Sequence, residues 1–410
     1  MLYDLGIRLF GLGIRFHSFF NAKSKDWIEG RKKQWVKLER WKRAEGKVIW
    51  FHTSSLGEFE QALPVMQALK KADSTNSIVV SFFSPSGYNY RKDHPIADLT
   101  FYMPLDTKAN ANRVINLIRP DVSVMTKYDL WKNHLEAAKK SGSKLILFAA
   151  RFTNDQYFFK PHGAIGKNML KLFNAIHVQE TASHNLLKSI SIMSEVSGDT
   201  RYDRVMGHVK DAQVPGSISE FCGNNRILVA GSTWPEDEKM LAKSRAKWPE
   251  ELKVIIAPHD ISASHINGIQ KLFPDAARFS KTDKPDSQVL IIDNIGLLSS
   301  LYKVADVAYI GGAFGPGLHN ILEASAFGVP VIYGHKTRGH PEADDMETAG
   351  FATKLSTPDG FTVTLNNWLN QDNPQLQNQI QAFMNSKTGA TKIVAAAIHD
   401  ALGITTKNEN

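Results

Sequence analysis

The sequence predicts an α/β fold built from two Rossmann-like, doubly wound domains. Short apolar, β-branched runs alternate with helical stretches through both halves of the chain, the pattern of βα units and a parallel sheet. A stretch of weak periodicity at 204–223, containing Pro215 and Gly216, separates the two series as a linker. The segment 307–334, VAYIGGAFGPGLHNILEASAFGVPVIYG, reads strand, Gly-rich turn, short helix, strand.

The first twenty residues, MLYDLGIRLFGLGIRFHSFF, are apolar but broken by Asp4, Arg8, Arg15 and His17. They lack the clean apolar core and small-residue cleavage site of a secretory signal. A spanning helix would need about 20 mostly uncharged residues. The pattern is that of an amphipathic helix lying in a membrane interface, with Leu, Ile and Phe turned down. Residues 1–50 hold 12 Lys/Arg against 5 Asp/Glu, so seven of the chain's net +8 charges sit in its first eighth. Trp27, Trp35 and Trp41 lie among these cations, a mixture that favours a headgroup layer. An anionic membrane surface is the expected partner. No nucleic acid is expected, because no recognised nucleic-acid motif follows.

Val48 to His52 is a buried-type strand, and the loop 53–58 opens a helix to about Lys71. Ligands of doubly wound sheets bind outside the carboxyl ends of the strands, which brings this loop into the site. Glu58 then has two readings, a carboxylate able to act as a base or a first-turn acid that stabilises its helix. Further strands are expected at 77–83, 101–105, 122–125, 144–150, 176–178 and 195–197. A second series begins at Arg226 and continues at 253–257, 288–292, 307–310 and 331–333. In the turn 311–317 the glycines let the backbone approach a ligand closely, and Asn320 can cap a helix to about Phe327. Such a turn suits a phosphate, and Glu323 could accept hydrogen bonds from ribose hydroxyls. The same features also fit a βα turn of any α/β protein. The single Cys222 excludes an intrachain disulfide, no Cys/His cluster has zinc spacing, and no DxD-type acidic pair is placed for a metal.

An ordered set of motifs resembles the 3-deoxy-D-manno-octulosonic acid (Kdo) transferases of lipopolysaccharide synthesis. It comprises SSLGEFEQALPV at 54–65, VQE at 178–180, SGDTRYD at 197–203, GSTWPEDE at 231–238 and the segment 301–334. The resemblance implies a GT-B fold, with a membrane-proximal segment 1–47, an acceptor domain 48–205 and a CMP-sugar domain 206–410 facing one another across a cleft. It implies transfer of Kdo from the donor CMP-Kdo to a lipid A precursor (lipid IVA), inverting and metal-independent, with no further cofactor. The enzyme would be peripheral or monotopic at the cytoplasmic face of a Gram-negative inner membrane.

Carried over by motif, Glu58 is the base, and Lys127 and Arg201 counter donor charge. Pro258, His259, Ile295, Gly296, Leu297, Asn320, Ile321, Leu322 and Glu323 bind CMP. The chain departs from the family pattern in three places. Lys127 stands where E-T-E-x-W-P-N begins with glutamate, with Asp129 as the nearby acid. Arg201 replaces the lysine after T-G-N. Pro258-His259-Asp260 replaces P-R-H, which shifts phosphate binding to His259, His319 or backbone N–H groups. Two alternatives are another GT-B transferase or nucleotide-sugar epimerase, and a non-catalytic membrane-binding homologue. The number of Kdo residues added is not encoded in these motifs.

Overall fold

The computed structural model describes residues 2–281, 287–371 and 374–404. The chain forms two compact units, Met1–Arg204 together with Thr388–Asn410, and Val205–Lys387.

The first unit contains strands β1 (Val48–Thr53), β2 (Ser77–Phe82), β3 (Leu99–Tyr102), β4 (Val122–Thr126), β5 (Lys144–Ala150), β6 (Ala175–Val178) and β7 (Glu195–Val196). They form one parallel sheet in the order β3-β2-β1-β4-β5-β6-β7. β1 is buried along its whole length, and apolar from Val48 to Phe51, because helices cover both its faces. Ile49 and Phe51 pack with Phe59, Met66 and Leu69 of the Leu56–Ala72 helix. Val48 and Trp50 pack on the other face with Phe101, Val114 and Leu135. The strand order reverses between β1 and β4, so the loops leaving their carboxyl ends part at that point and open a crevice.

The second unit repeats this plan with β8 (Arg226–Thr233), β9 (Leu252–Pro258), β10 (Ala277–Arg278), β11 (Val289–Ile291), β12 (Val307–Ile310), β13 (Val331–Gly334) and β14 (Ala352–Leu355). Its parallel order is β10-β11-β9-β8-β12-β13-β14, with the reversal between β8 and β12.

Three expectations about these units change. The stretch 204–223 is not a linker. It carries the end of the Thr200–Asp211 helix and the whole Gly216–Cys222 helix, which bury Val205, Ile218 and Phe221. Pro215 stands at the start of the second helix, where its missing N–H costs nothing. The Ala390–Ala401 helix, expected in the second domain, belongs to the first unit and buries Val394, Ala395 and Ile398 in its core. The helix after Asn320 is shorter than expected, spanning only Leu322–Ala326.

The amino-terminal Leu2–His17 helix has two distinct faces. Ile7 is buried, and a Cβ on Gly11 would strike Leu105 at 2.5 Å. Leu5, Leu9, Leu12 and Phe16, followed by Phe19 and Phe20, are exposed. Tyr3 donates its hydroxyl to the buried Asp106 Oδ2 at 2.5 Å, which fastens the helix to the sheet. The tryptophans differ from expectation. Trp35 and Trp41 pack against the core, and Trp27 lies 3.5 Å under the Arg31 guanidinium. Among the described residues no helix is long and apolar enough to cross a membrane.

Candidate active site

In the first unit the sequence-predicted base lies at the switch point. Ser54 and Ser55 carry the chain out of β1, and Glu58 stands in the first turn of the following helix. The Glu58 carboxylate reaches back to accept the Ser54 N–H. Burial raises its carboxyl above the ordinary glutamate range, and the charge of Asp129 raises it further. Lys127, the Ser54 N–H and His52 pull it the other way. Lys127 follows β4 directly, with a left-handed backbone (φ 63°) and its N–H bonded to Phe148 O at 2.8 Å. That conformation is uncommon for a side chain with a Cβ, at a cost on the order of 1–3 kcal/mol, and such strain concentrates at functional sites.

The sequence did not point to the support beneath Asp129. Trp50 Nε1–H donates to Ser81 Oγ at 2.8 Å, and Ser81 Oγ lies 2.9 Å from His52 Nδ1. His52 Nε2 lies 3.0 Å from Asp129 Oδ2, which also accepts Trp131 Nε1–H at 3.0 Å. With Ser81 Oγ accepting from Trp50 and donating to Nδ1, the ring's Nε2–H donates to Asp129. Asp129 is thereby fixed as an acceptor near Glu58.

Arg201 is already engaged. Its Nε donates to Asp199 Oδ2 at 2.8 Å, and its backbone N–H to Asp199 Oδ1 at 2.9 Å. It begins a helix anchored by Thr200 Oγ1 donating to Gln61 O at 2.6 Å and by Arg204 paired with Glu60 at 2.7 Å. The motif therefore holds the Arg201 segment against the helix that carries Glu58.

In the second unit the predicted CMP residues gather at the carboxyl ends of neighbouring strands. Pro258 ends β9 and the His259 N–H donates to Thr233 O at 3.0 Å, while Ile295 to Leu297 follow β11. Gly311 admits no side chain, since a Cβ would meet Ser232 O at 2.5 Å. Buried Asp237 binds the turn, accepting Tyr309 O–H at 2.5 Å, Gly312 N–H at 2.8 Å and Trp234 N–H at 2.9 Å. Asn320 Oδ1 accepts the Leu322 N–H at 3.1 Å, and its Nδ2 donates to Glu323 Oε1 at 3.0 Å.

Three rings form a stack that periodicity could not reveal. Trp234 lies on His259 at 4.9 Å and His259 on His319 at 4.6 Å. Trp234 Nε1–H donates to His319 Nε2 at 2.9 Å. Burial, then the neighbouring His259 and His340, push the His319 ring down to about 4. His319 is thus neutral with its proton on Nδ1, a hydrogen-bond donor and not the cation expected at an anion site. Among the described residues no group of three or more His, Cys, Asp or Glu is gathered to hold a metal ion.

Comparison with known proteins agrees with this layout. A sequence-family profile described as 3-Deoxy-D-manno-octulosonic-acid transferase (kdotransferase) matches residues 29–204. The chain is 27% identical over 306 residues to the 3-deoxy-D-manno-octulosonic acid transferase of Chlamydophila psittaci, covering 70% of each chain. It is 27% identical over 338 residues to the Aquifex aeolicus enzyme of the same name, covering 79% of this chain and 87% of that one. Among solved structures, a putative UDP-N-acetylglucosamine 2-epimerase from Listeria monocytogenes has a TM-score of 0.60 at 15% identity, covering 89% of this chain and 99% of its own. That likeness shows a common GT-B fold. With the profile on its first unit and named relatives aligned along most of their length, the chain is similar to the Kdo transferases and is a glycosyltransferase.

Proposed function

We propose that the chain transfers Kdo from CMP-Kdo to a lipid A precursor, with Glu58 as general base. The observation that carries this reading is the Glu58 carboxylate itself. It stands at a sheet's switch point, half-buried, with its carboxyl raised by desolvation and by Asp129. A raised carboxyl is a stronger base once ionised, and proton removal by a positioned base contributes roughly 100- to 10,000-fold. The attacking sugar hydroxyl would lose its proton to Glu58 as the bond from Kdo to the CMP phosphate breaks, with inversion at the anomeric carbon. Lys127, beside Glu58, is the group best suited to meet the Kdo carboxylate.

The second unit is the proposed CMP site. The tight turn at Gly311–Gly312, the Asn320–Glu323 pair and the neutral His319 donor offer hydrogen bonds to phosphate and ribose. Charge on the leaving nucleotide would be met by backbone N–H groups and side chains, without a metal. The exposed apolar stripe of the Leu2–His17 helix, beside a strongly basic segment, supports peripheral attachment to the cytoplasmic face of the inner membrane.

Purified protein supplied with CMP-Kdo and lipid A precursor should release CMP and yield a Kdo-bearing lipid, read by mass spectrometry. Selective binding of UDP over CMP would overturn the donor assignment. A folded Glu58→Ala variant with full activity would remove the base.

A further inference from the structure

We infer that Arg31, on the membrane-proximal Ala22–Lys32 helix, is a positioning residue for the Glu58 carboxylate. The inference rests on the reading of Glu58 as the base. Arg31 is 9% exposed and spends its donors on three main-chain carbonyls. Nε donates to Met103 O at 2.9 Å, one terminal nitrogen to Phe83 O at 2.6 Å, and the other to Trp27 O at 3.0 Å. Its guanidinium is sandwiched by rings, with Trp27 at 3.5 Å, Tyr102 at 4.8 Å and Phe83 at 4.9 Å. Burying a cation among carbonyls and rings is costly unless each donor is met. Arg31 therefore has one orientation, and it fixes the ends of β2 and β3 at Phe83 and Met103.

The consequence reaches Glu58 through two further bonds. Phe83 is followed by Ser84, whose N–H donates to Ser54 O at 2.8 Å. Ser54 in turn presents its own N–H to the Glu58 carboxylate. The chain from Arg31 to the base is thus Arg31 to Phe83 O, Ser84 N–H to Ser54 O, and Ser54 N–H to Glu58, with no side-chain rotor between the guanidinium and the last donor. Phe83 also stacks on Trp131 at 4.6 Å, and Trp131 holds Asp129, so the same anchor steadies the acid facing Glu58. A lysine cannot replace this fork, because an ammonium is a point donor on a flexible stem.

The groups facing Glu58 are His52 from β1, Lys127 and Asp129 from the loop after β4, and the Ser54 N–H. Of these, the Ser54 bond is the one Arg31 controls most directly. A donor to a carboxylate favours its ionised form, so slackening that bond raises the carboxyl. The test is steady-state kinetics of the full chain in detergent, with CMP-Kdo and lipid A precursor, across the acid limb of the pH profile. Arg31→Gln is expected to lower kcat by about tenfold or more. KM for both substrates should stay within about twofold, since a fault confined to the transition state leaves ground-state binding alone. The acid limb should move to higher pH, and Arg31→Lys should show the same pattern more weakly.

An unchanged kcat, a change in KM alone, or a fall in kcat with the acid limb in place would each overturn the inference. Loss of the folded state in both variants, read by circular dichroism, would overturn it too and make Arg31 purely structural. In a Glu58→Gln background, Arg31→Gln should not lower the residual rate further. Full activity of Glu58→Gln alone would instead reject Glu58 as the base, whatever Arg31 does.

Discussion

A carboxylate held above its ordinary range is a liability to the fold and an asset to a base. Glu58 binds its proton more tightly in the folded than in the unfolded chain, because burial and Asp129 disfavour its charge. Its contribution to stability is therefore fully present below the unfolded value and is lost as pH rises through the folded one. Under the proposed role of Glu58 as base, activity should run oppositely, falling as pH drops through the same raised value. Glu58→Gln keeps an oxygen for the Ser54 N–H and removes the charge. It should lower kcat roughly 100- to 10,000-fold. Its melting temperature at neutral pH should equal or exceed that of the parent, a pairing read by assay and calorimetry.

In the second unit, Trp234→Phe keeps a ring on His259 but deletes the donor to His319. Loss of one such hydrogen bond is worth about 1 kcal/mol. CMP affinity by titration calorimetry should fall by about fivefold. The placement of Glu58 at a strand's carboxyl end was legible as a local strand, turn and first-turn acid, while its reading as a base came from the resemblance. The His52–Asp129 pair and the three-ring stack join residues from different strands, and nothing within one segment announces them. Asp237 reads as one acid among three in PEDE, and only its three donors distinguish it.

At the scale of elements, the amino-terminal helix shows what pattern can and cannot supply. The amphipathic reading of residues 1–20 put Leu, Ile and Phe on one face; Leu5, Leu9, Leu12 and Phe16 are exposed, Ile7 is buried, and the structure adds Tyr3 and Gly11 as the seam against the domain. The tryptophans misled because composition does not say which way a ring faces. Trp35 and Trp41 serve the core, and Trp27 serves Arg31. Membrane binding should thus depend on the leucines and phenylalanines. Burying one such side chain is worth about 1.5–3 kcal/mol. Leu9→Asp with Phe16→Asp should weaken flotation with anionic vesicles by roughly 100-fold or more, while CMP binding in solution is retained. Tyr3→Phe removes a bond to a buried carboxylate and should cost about 1.5–3 kcal/mol of stability, read by denaturant unfolding with the slope unchanged.

Across the whole molecule, two parallel sheets were legible because βα alternation is a property of the entire chain. The boundary was less so. The stretch 204–223 looked like a linker because its periodicity is weak and Pro215 and Gly216 interrupt it, although proline is welcome at a helix start. The return of the Ala390–Ala401 helix to the first unit was not legible at all, since sequence distance predicts the wrong neighbour. Ile398 is fully buried there. Ile398→Ala should destabilise the first unit by about 2–5 kcal/mol, seen as a downward shift of one calorimetric transition. The transition protected by CMP should stay in place.

That returning helix also has a consequence for biogenesis. A ribosome delivers residues in order, yet the first unit's core awaits a segment made after the whole of the second unit. The second unit, uninterrupted from Val205 to Lys387, has all its parts earlier. The unit begun first is therefore finished second. Until then its sheet shows an uncovered apolar strip where Val394 and Ile398 will dock, a surface for a chaperone during that interval.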